Sequence, residues 1–206
     1  MSFHSTNYRA PKTDFFTAVL TGLAPDRGLY MPERIPRIGK AGFRKFSGAA
    51  YFEIACSVLR MFLDDIPDET LLAECKKAYS FAPRLEKAGD KKQLLWLDTG
   101  PTASFKDFAA RLMAPLMGYK LKEGEKILIL TATSGDTGSA IANAFYNIPN
   151  IEIVILFPMD EVTPSQRKQM TTLGGNVRTI AVNGKFDHCQ AMVREAFADC
   201  RTIPPR

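Results

Sequence analysis

The segment that begins at Lys126 alternates between short apolar runs and helical patterns, and this alternation constrains the fold more than any other feature of the sequence. The run from Ile151 to Phe157 is apolar at every position except Glu152, so a strand formed there needs helices on both faces of its sheet. The pattern predicts strands at 127–131, 151–157 and 177–182, alternating with helices at 137–147, 165–173 and 187–200. We therefore expect an α/β fold of parallel βα units.

The first part of the chain shows helical patterns instead of strands. Residues suited to begin helices recur there, namely Thr13 or Asp14, then Ser47, then Asp68. Gly22 is suited to end the first helix in a left-handed conformation, and a connection rich in proline and glycine follows. The pattern predicts a helical N-terminal domain over residues 1–84.

A strand, a turn and a helix are predicted between these two regions. The apolar run 93–98 is typical of a strand, and the polar turn 99–104 leads into a helix that begins near Phe105. Pro115 removes a backbone donor from that helix and crowds the carbonyl of Arg111. We therefore expect the helix to divide into two short pieces.

The composition indicates a globular protein without a membrane-spanning segment. The chain has 206 residues, of which 46% are hydrophobic and 24% are charged. No apolar run approaches the roughly 20 residues that cross a bilayer, and the opening residues lack the apolar centre of a signal peptide. These observations predict a cytoplasmic protein.

The sequence offers few residues in patterns that could bind a metal, carry out redox chemistry or bind nucleic acid. The cysteines at 56, 75, 189 and 200 form no C-x-x-C pair, and the two histidines, His4 and His188, are far apart. The net charge is +5, but the basic residues between Arg34 and Lys45 follow no zinc-finger, RRM or basic-zipper pattern. We predict core or surface thiols, no metal site, no nucleic-acid partner and a solvated basic loop.

A lysine lies just beyond the turn at 99–104. Ser104 can cap the following helix, which places Lys106 in its first turn. Exposed amides and the positive end of the helix dipole favour a neutral amine there, and burial would act in the same direction. A neutral lysine amine can form a Schiff base with an aldehyde and can later move protons. An ordinary surface lysine is the alternative.

A loop of small residues joins the strand at 127–131 to its helix. Gly135 and Gly138 allow backbone amides to approach a ligand closely, and the helix dipole adds positive potential. The loop therefore predicts an anion-binding cradle over 134–138. It lacks the G-x-x-x-x-G-K-[ST] and G-x-G-x-x-G patterns of nucleotide sites, and a purely structural turn is the alternative.

Four segments of the chain resemble, in order, signature blocks of the threonine synthase family: STNYRAPKTDFFTAVLTGLAPDRGLYMPERIP, DTGPTASFKDFAARLMAPLM, ILTATSGDTGSAIANAFY and VILFPMDEVTPSQRKQMTTLGGNVRTIAVNGKFDHCQAMVREAF. The likeness covers nearly the whole chain. It implies an enzyme of tryptophan-synthase-β-like fold that depends on pyridoxal 5'-phosphate (PLP).

The resemblance also implies roles for individual residues. Lys106 corresponds to the lysine that forms the internal aldimine with PLP. The substrate carboxylate is received by the loop beside the cofactor ring, which corresponds to Ser134, Gly135, Asp136, Thr137 and Gly138. Asp136 is expected to contact the cofactor as well, while Phe105 and Asp107 are assigned to packing and capping. Residues 85–125 would begin the large PLP-binding domain, and residues 126–206 would form a smaller βα lobe with the carboxylate loop.

The reaction of the family converts O-phospho-L-homoserine and water to L-threonine and phosphate, a lyase step of threonine biosynthesis. The cofactor ring would stabilise negative charge at the substrate Cα, and Lys106 would serve as acid and base. Two alternatives stay open. One is a threonine synthase-like phospholyase that releases a 2-oxo acid, and the other is a non-catalytic binding module.

In the family, the loop that grips the cofactor phosphate and the residues that grip the substrate phosphate come later than Arg206. We therefore expect an incomplete chain that captures the cofactor but makes no threonine by itself. An apolar helix surface near Met192, Val193 and Phe197 is expected to favour self-association.

Overall fold

The structure is a computed structural model that describes residues 1–202. Residues 203–206 and the side chain of Cys200 lie outside the described part. The chain divides into two compact units, Met1–Ala82 and a second unit that begins at Pro83. The finer three-part division expected from the sequence, with boundaries at 84 and 125, stays a prediction.

The first unit combines four helices with a two-stranded sheet. The sequence predicted neither this sheet nor the helix at Lys40–Lys45, which lies in the segment expected to be a solvated basic loop. Its elements are β1 (Phe3–Ser5), α1 (Phe15–Thr21), β2 (Tyr30–Pro32), α2 (Lys40–Lys45), α3 (Tyr51–Leu59) and α4 (Asp68–Ala78). Strands β1 and β2 pair antiparallel, with Phe3 opposite Pro32. Helices α3 and α4 pack together, and Leu71 and Cys75 of α4 are buried.

The predicted starts of these helices are right in one case and wrong in two. Asp14 caps α1, because its Oδ1 accepts a hydrogen bond from the Thr17 amide at 3.0 Å. Ser47 does not cap α3, which begins at Tyr51 where the Glu53 carboxylate accepts from the Ala50 amide at 2.7 Å. Asp68 is the first residue of α4 rather than its cap. A carboxylate at the third helical position thus replaces the expected hydroxyl at α3.

A single aspartate organises the loops around β1. The Asp26 carboxylate accepts hydrogen bonds from the Ser5 hydroxyl at 2.6 Å and from the amides of Gly28, Arg9 and Ala10 at 2.9–3.0 Å. These donors favour the ionised form, first the Ser5 hydroxyl and then the amides, and lower the pKa of Asp26 to about 2. The loops are therefore held by a charge.

The second unit holds the βα array that the sequence predicts. Its elements are β3 (Arg84–Gly89), β4 (Lys92–Trp96), α5 (Asp107–Lys120), β5 (Ile127–Ala132), α6 (Asp136–Phe145), β6 (Ile151–Pro158), α7 (Pro164–Thr171), β7 (Val177–Val182) and α8 (Phe186–Thr202). Strands β5, β6 and β7 form a parallel sheet in that order, with Ile129 beside Ile153 and Ile153 beside Val177. The α/β prediction is confirmed.

Packing around β6 explains why its sequence is so apolar. Ile151, Ile153 and Ile155 on one face of β6 are buried, and α6 packs against β6 with α5 and α7 against α6. Helix α8 packs against β5 and β6. Met192 and Phe197 of α8 are exposed, so the apolar helix surface exists, while self-association stays a prediction.

Helix α5 contradicts the expectation that Pro115 would divide it. The helix runs without a break from Asp107 to Lys120 with Pro115 inside. Ala114 and Leu116, on either side of the proline, are buried, and α5 packs against α6. Tertiary packing therefore compensates for the lost backbone hydrogen bond. In the described part of the chain, no helix is both long and apolar enough to span a membrane.

Candidate active site

The turn between β4 and α5 is held by a buried carboxylate. Asp107 is 0% exposed, and its two carboxylate oxygens accept hydrogen bonds from the Thr102 amide at 2.9 Å and the Thr102 hydroxyl at 2.8 Å. Gly100 lies so close that a side-chain carbon there would collide with the Asp107 carboxylate. Asp107 thus ties the turn to the first residue of α5, and the capping role expected for it stays a prediction. Phe105, to which packing was assigned, is exposed.

Lys106 occupies the N-cap of α5, one position before the helix rather than in its first turn. Its amide donates to the Ser104 hydroxyl at 3.3 Å. Its Nζ lies 4.3 Å from the centre of the Phe105 ring and 3.6 Å from Oδ2 of Asp136, and its side chain is 29% exposed. Besides the backbone amides and the helix dipole, the Lys106 amine therefore has a neighbouring carboxylate.

The loop between β5 and α6 is held by a buried hydroxyl. Thr133 is 1% exposed, and its Oγ1 accepts hydrogen bonds from the amides of Gly135 at 3.0 Å and Gly138 at 2.9 Å. Two amides of the expected cradle are therefore already bonded within the protein. Within residues 1–202, the amides of Ser134, Asp136 and Thr137 have no hydrogen-bond partner. These three amides are the donors that the loop offers to an anion.

Both glycines of the loop allow other side chains of the protein to pack closely against the backbone there. Gly135 has φ 142°, and a side-chain carbon added to it would lie 2.5 Å from the amide group of Gln166. A carbon added to Gly138 would lie 2.6 Å from Sδ of Met170 and closer still to Thr133. Gln166 and Met170 belong to α7, so the glycines permit close packing of α7 against the loop.

Gln166 connects the two turns through Asp136. Its Nε2 donates to Oδ1 of Asp136 at 2.6 Å, while Oδ2 of the same carboxylate faces Lys106. Neither Gln166 nor Thr133 was predicted from the sequence. The Thr163-x-x-Gln166 spacing could have revealed a helix-capping pair, but the contact with Asp136 has no signal in the sequence.

The residues gathered here fit a carbonyl cofactor and an anionic substrate. An aldehyde needs a partly exposed amine, which Lys106 offers, and a carboxylate needs unbonded donors, which the loop amides offer. Among residues 1–202, no three histidine, cysteine, aspartate or glutamate side chains lie together as metal ligands. His188 lies apart from this chemistry and accepts from the Lys185 amide at 3.1 Å.

Two family models match consecutive parts of the chain. Residues 2–79 match the model described as threonine synthase N terminus, and residues 80–205 match the model described as pyridoxal-phosphate dependent enzyme. The junction between the two matches lies close to the boundary between the two compact units.

Curated relatives with similar sequences are threonine synthases. The threonine synthase of Haemophilus influenzae is 42% identical over 97% of this chain and 46% of its own length. The threonine synthase of Escherichia coli is 36% identical over the same two shares. The chain thus spans about half the length of the curated relatives it matches.

Solved structures show the same fold. The PLP-bound threonine synthase from Brucella melitensis is 39% identical, with a TM-score of 0.90 over 97% of this chain and 45% of that one. The Escherichia coli threonine synthase structure is 36% identical, with a TM-score of 0.85 over 97% of this chain and 46% of that one. These findings confirm the resemblance based on the sequence blocks.

Proposed function

The chain belongs to the pyridoxal-phosphate dependent enzyme family, and from this premise we propose that its site serves the conversion of O-phospho-L-homoserine and water to L-threonine and phosphate. The observation that carries the proposal is the 3.6 Å approach of the Lys106 amine to Asp136, within a loop that offers unbonded amides. An amine beside an anion-binding loop suits a substrate that carries both an amino group and a carboxylate. The curated relatives named threonine synthase support this choice of substrate.

Lys106 is the group that we assign to proton transfer. Pyridoxal phosphate, when bound, supplies an aldehyde for amines and a ring that stabilises negative charge at the substrate Cα. Lys106 is the residue that would hold the cofactor through its amine, and the substrate amine would displace it. The freed Nζ would take the proton from Cα and become an ammonium, and it would have to give that proton up again before it could take the proton from Cβ.

The same amine has later tasks in the reaction. The phosphate leaves from Cγ and water adds at Cβ, so protons must return to the carbon skeleton. Lys106 is the ionisable side chain that we assign to this return, because it alternates between an ammonium and a neutral amine. Its neighbour Asp136 places a carboxylate oxygen 3.6 Å from Nζ.

The loop after β5 is the group that we assign to substrate orientation. The unbonded amides of Ser134, Asp136 and Thr137 can donate to the substrate carboxylate at the positive end of α6. Gly135 and Gly138 shape this surface through their bonds to Thr133 instead of donating to the substrate. Orientation by fixed amides keeps Cα near one side of the site, where Lys106 can reach it.

The test measures products. The 206-residue chain is joined to the C-terminal portion of the Haemophilus influenzae relative, and PLP and O-phospho-L-homoserine are added. We expect threonine and phosphate in equal amounts from the joined protein. We expect phosphate and threonine to be absent with the 206-residue chain alone, since catalysis requires a clamped cofactor. Phosphate released with a 2-oxo acid instead of threonine would overturn the proposal in favour of a phospholyase.

A further inference from the structure

We propose that Gln166 is a positioning residue that holds the Asp136 carboxylate against Lys106, an inference that rests on the proposed function in treating Lys106 as the reactive amine. Gln166 Nε2 donates to Asp136 Oδ1 at 2.6 Å, and Asp136 Oδ2 lies 3.6 Å from Lys106 Nζ. Each carboxylate oxygen therefore has its own partner. Lys106 is the N-cap of α5, Asp136 begins α6 and Gln166 lies in α7, so the three side chains form a link between three elements.

The orientation of the Gln166 amide group follows from its neighbours. The Thr163 amide can only donate, and it faces Gln166 Oε1 at 3.2 Å, while the Thr163 hydroxyl lies 2.9 Å from the same oxygen. Since Oε1 is occupied on the Thr163 side, Nε2 must face Asp136. A carboxylate can only accept, so this is the arrangement that satisfies both partners.

Packing of α7 fixes the place of Gln166 as well as its orientation. Its amide group lies where a side chain of residue 135 would otherwise be. Its backbone carbonyl is 3.4 Å from the hydroxyl of Ser139 on α6, and Met170, one turn further along α7, is buried against Gly138. Gln166 therefore has little freedom to move away from the loop.

This placement gives Gln166 a task that no charged residue could perform. Asp136 is half exposed, and an exposed ion pair is weak when both side chains must be ordered to form it. Gln166 orders the carboxylate in advance without adding or removing charge. Oδ2 then remains directed at Lys106, and the amine is kept beside the loop where the substrate carboxylate is expected to bind.

The experiment measures the chemical reactivity of Lys106 in the 206-residue chain without PLP. Trace acetic anhydride is added, and acetylation of each lysine is quantified by peptide mass spectrometry. We expect Gln166→Leu to raise acetylation of Lys106 about two- to fivefold, the size expected for releasing an exposed ion pair. Other lysines should be unchanged. Gln169→Leu on the exposed side of α7 is the matched control and should leave Lys106 unchanged.

Two further variants separate positioning from helix capping. Thr163→Ala weakens the cap of α7 but keeps Gln166 Nε2, so we expect little change in Lys106 acetylation. Asp136→Asn should raise acetylation by itself, and adding Gln166→Leu should then have no further effect, because Gln166 acts through Asp136. Gln166→Met keeps the length of the side chain and replaces Gln166→Leu if circular dichroism shows that the latter unfolds.

Three results would overturn the inference. They are unchanged or reduced acetylation of Lys106 in Gln166→Leu or Gln166→Met, an equal rise in Thr163→Ala, and a further rise in the Asp136→Asn background. The assay contains neither cofactor nor substrate. The outcome of the acetylation assay is therefore independent of the product measurement that tests the proposed reaction.

Discussion

The two turns that lead into α5 and α6 solve one structural problem with different chemistry. Each brings the chain from a strand to a helix, and each is held by one buried side chain that accepts two hydrogen bonds from its own turn. Before α5 the acceptor is the carboxylate of Asp107, and before α6 it is the hydroxyl of Thr133. The first turn is thus held by a charge and the second by a neutral group.

The difference shows how structural and chemical tasks are divided within a short motif. In the first turn, Asp107 faces inward and its neighbour Lys106 is partly exposed. In the second, Thr133 faces inward and Asp136 is half exposed. The inward residue shapes the turn, and the outward residue is available for a ligand. Adjacent motif residues can therefore have separable effects on folding and on chemistry.

The largest expected effect is the loss of cofactor capture in Lys106→Ala. Removing the amine should abolish the borohydride-stable attachment of PLP. The free energy of unfolding should change by no more than about 0.5 kcal/mol, as for a surface substitution. Borohydride reduction followed by peptide mapping checks this. Lys91→Ala in the exposed β3–β4 turn is the control. Label on another lysine, with the variant still reducible, would contradict the assignment.

The next effect is on stability, in the charged turn. Asp107→Leu leaves the amide and hydroxyl of Thr102 buried without an acceptor, and we expect a loss of about 2–4 kcal/mol. Urea unfolding followed by the fluorescence of Trp96, the single tryptophan, reports on the second unit. Asp107→Asn keeps one acceptor and should lose less. If Asp107→Leu cost less stability than removal of the Thr133 hydroxyl from the neutral turn, the contrast between the two turns would be contradicted.

A smaller loss is expected in the neutral turn. Thr133→Val keeps the shape of the side chain but leaves the amides of Gly135 and Gly138 without their acceptor. Because hydrogen bonds to a neutral hydroxyl are weaker than those to a carboxylate, we expect about 1–2 kcal/mol by the same urea measurement. Thr133→Ser restores the acceptor and should recover most of the stability.

The smallest expected effect is a dependence of stability on acid pH in the first unit. There the Asp26 carboxylate holds loops together through its hydrogen bonds. Its folded pKa of about 2 lies below its ordinary value of 3.8, so it stabilises the folded state above pH 4 and loses this effect as the pH falls toward 2. Asp26→Asn should therefore lower the free energy of unfolding at neutral pH, and this loss should shrink as the pH falls from 4 toward 2. Circular dichroism at several pH values checks this. A constant difference would show that charge is not what holds the loops.

The βα array could be predicted because burial leaves a strong pattern in the sequence. Strand β6 is covered by helices and is apolar almost throughout, so its residues cannot be mistaken for a loop. Strand β3 was missed because every one of its residues is exposed, and an exposed strand needs no apolar alternation. Pro115 was misjudged because the packing of α5 is not visible in its local sequence.

The candidate site could be predicted in its parts but not in its connections. Lys106 and the loop 134–138 each stand out by position and composition. Their approach through Asp136 depends on how α5, α6 and α7 pack, and no local pattern encodes that distance. Thr133 was missed because threonine at the end of a strand is common, and only the folded loop shows that it bonds two amides.

The close contact between Gly135 and Gln166 has a consequence for how this sequence can vary. The amide group of Gln166 fills the volume where a side chain at position 135 would lie, so the two positions share one space. A larger residue at 135 would meet Gln166 and would also be strained at φ 142°, so a smaller residue at 166 does not make room for it. Position 166 is less restricted by space, but a residue without an amide donor loses the hydrogen bond to Asp136. Position 135 should therefore remain glycine among the descendants of this sequence, including those in which position 166 has changed.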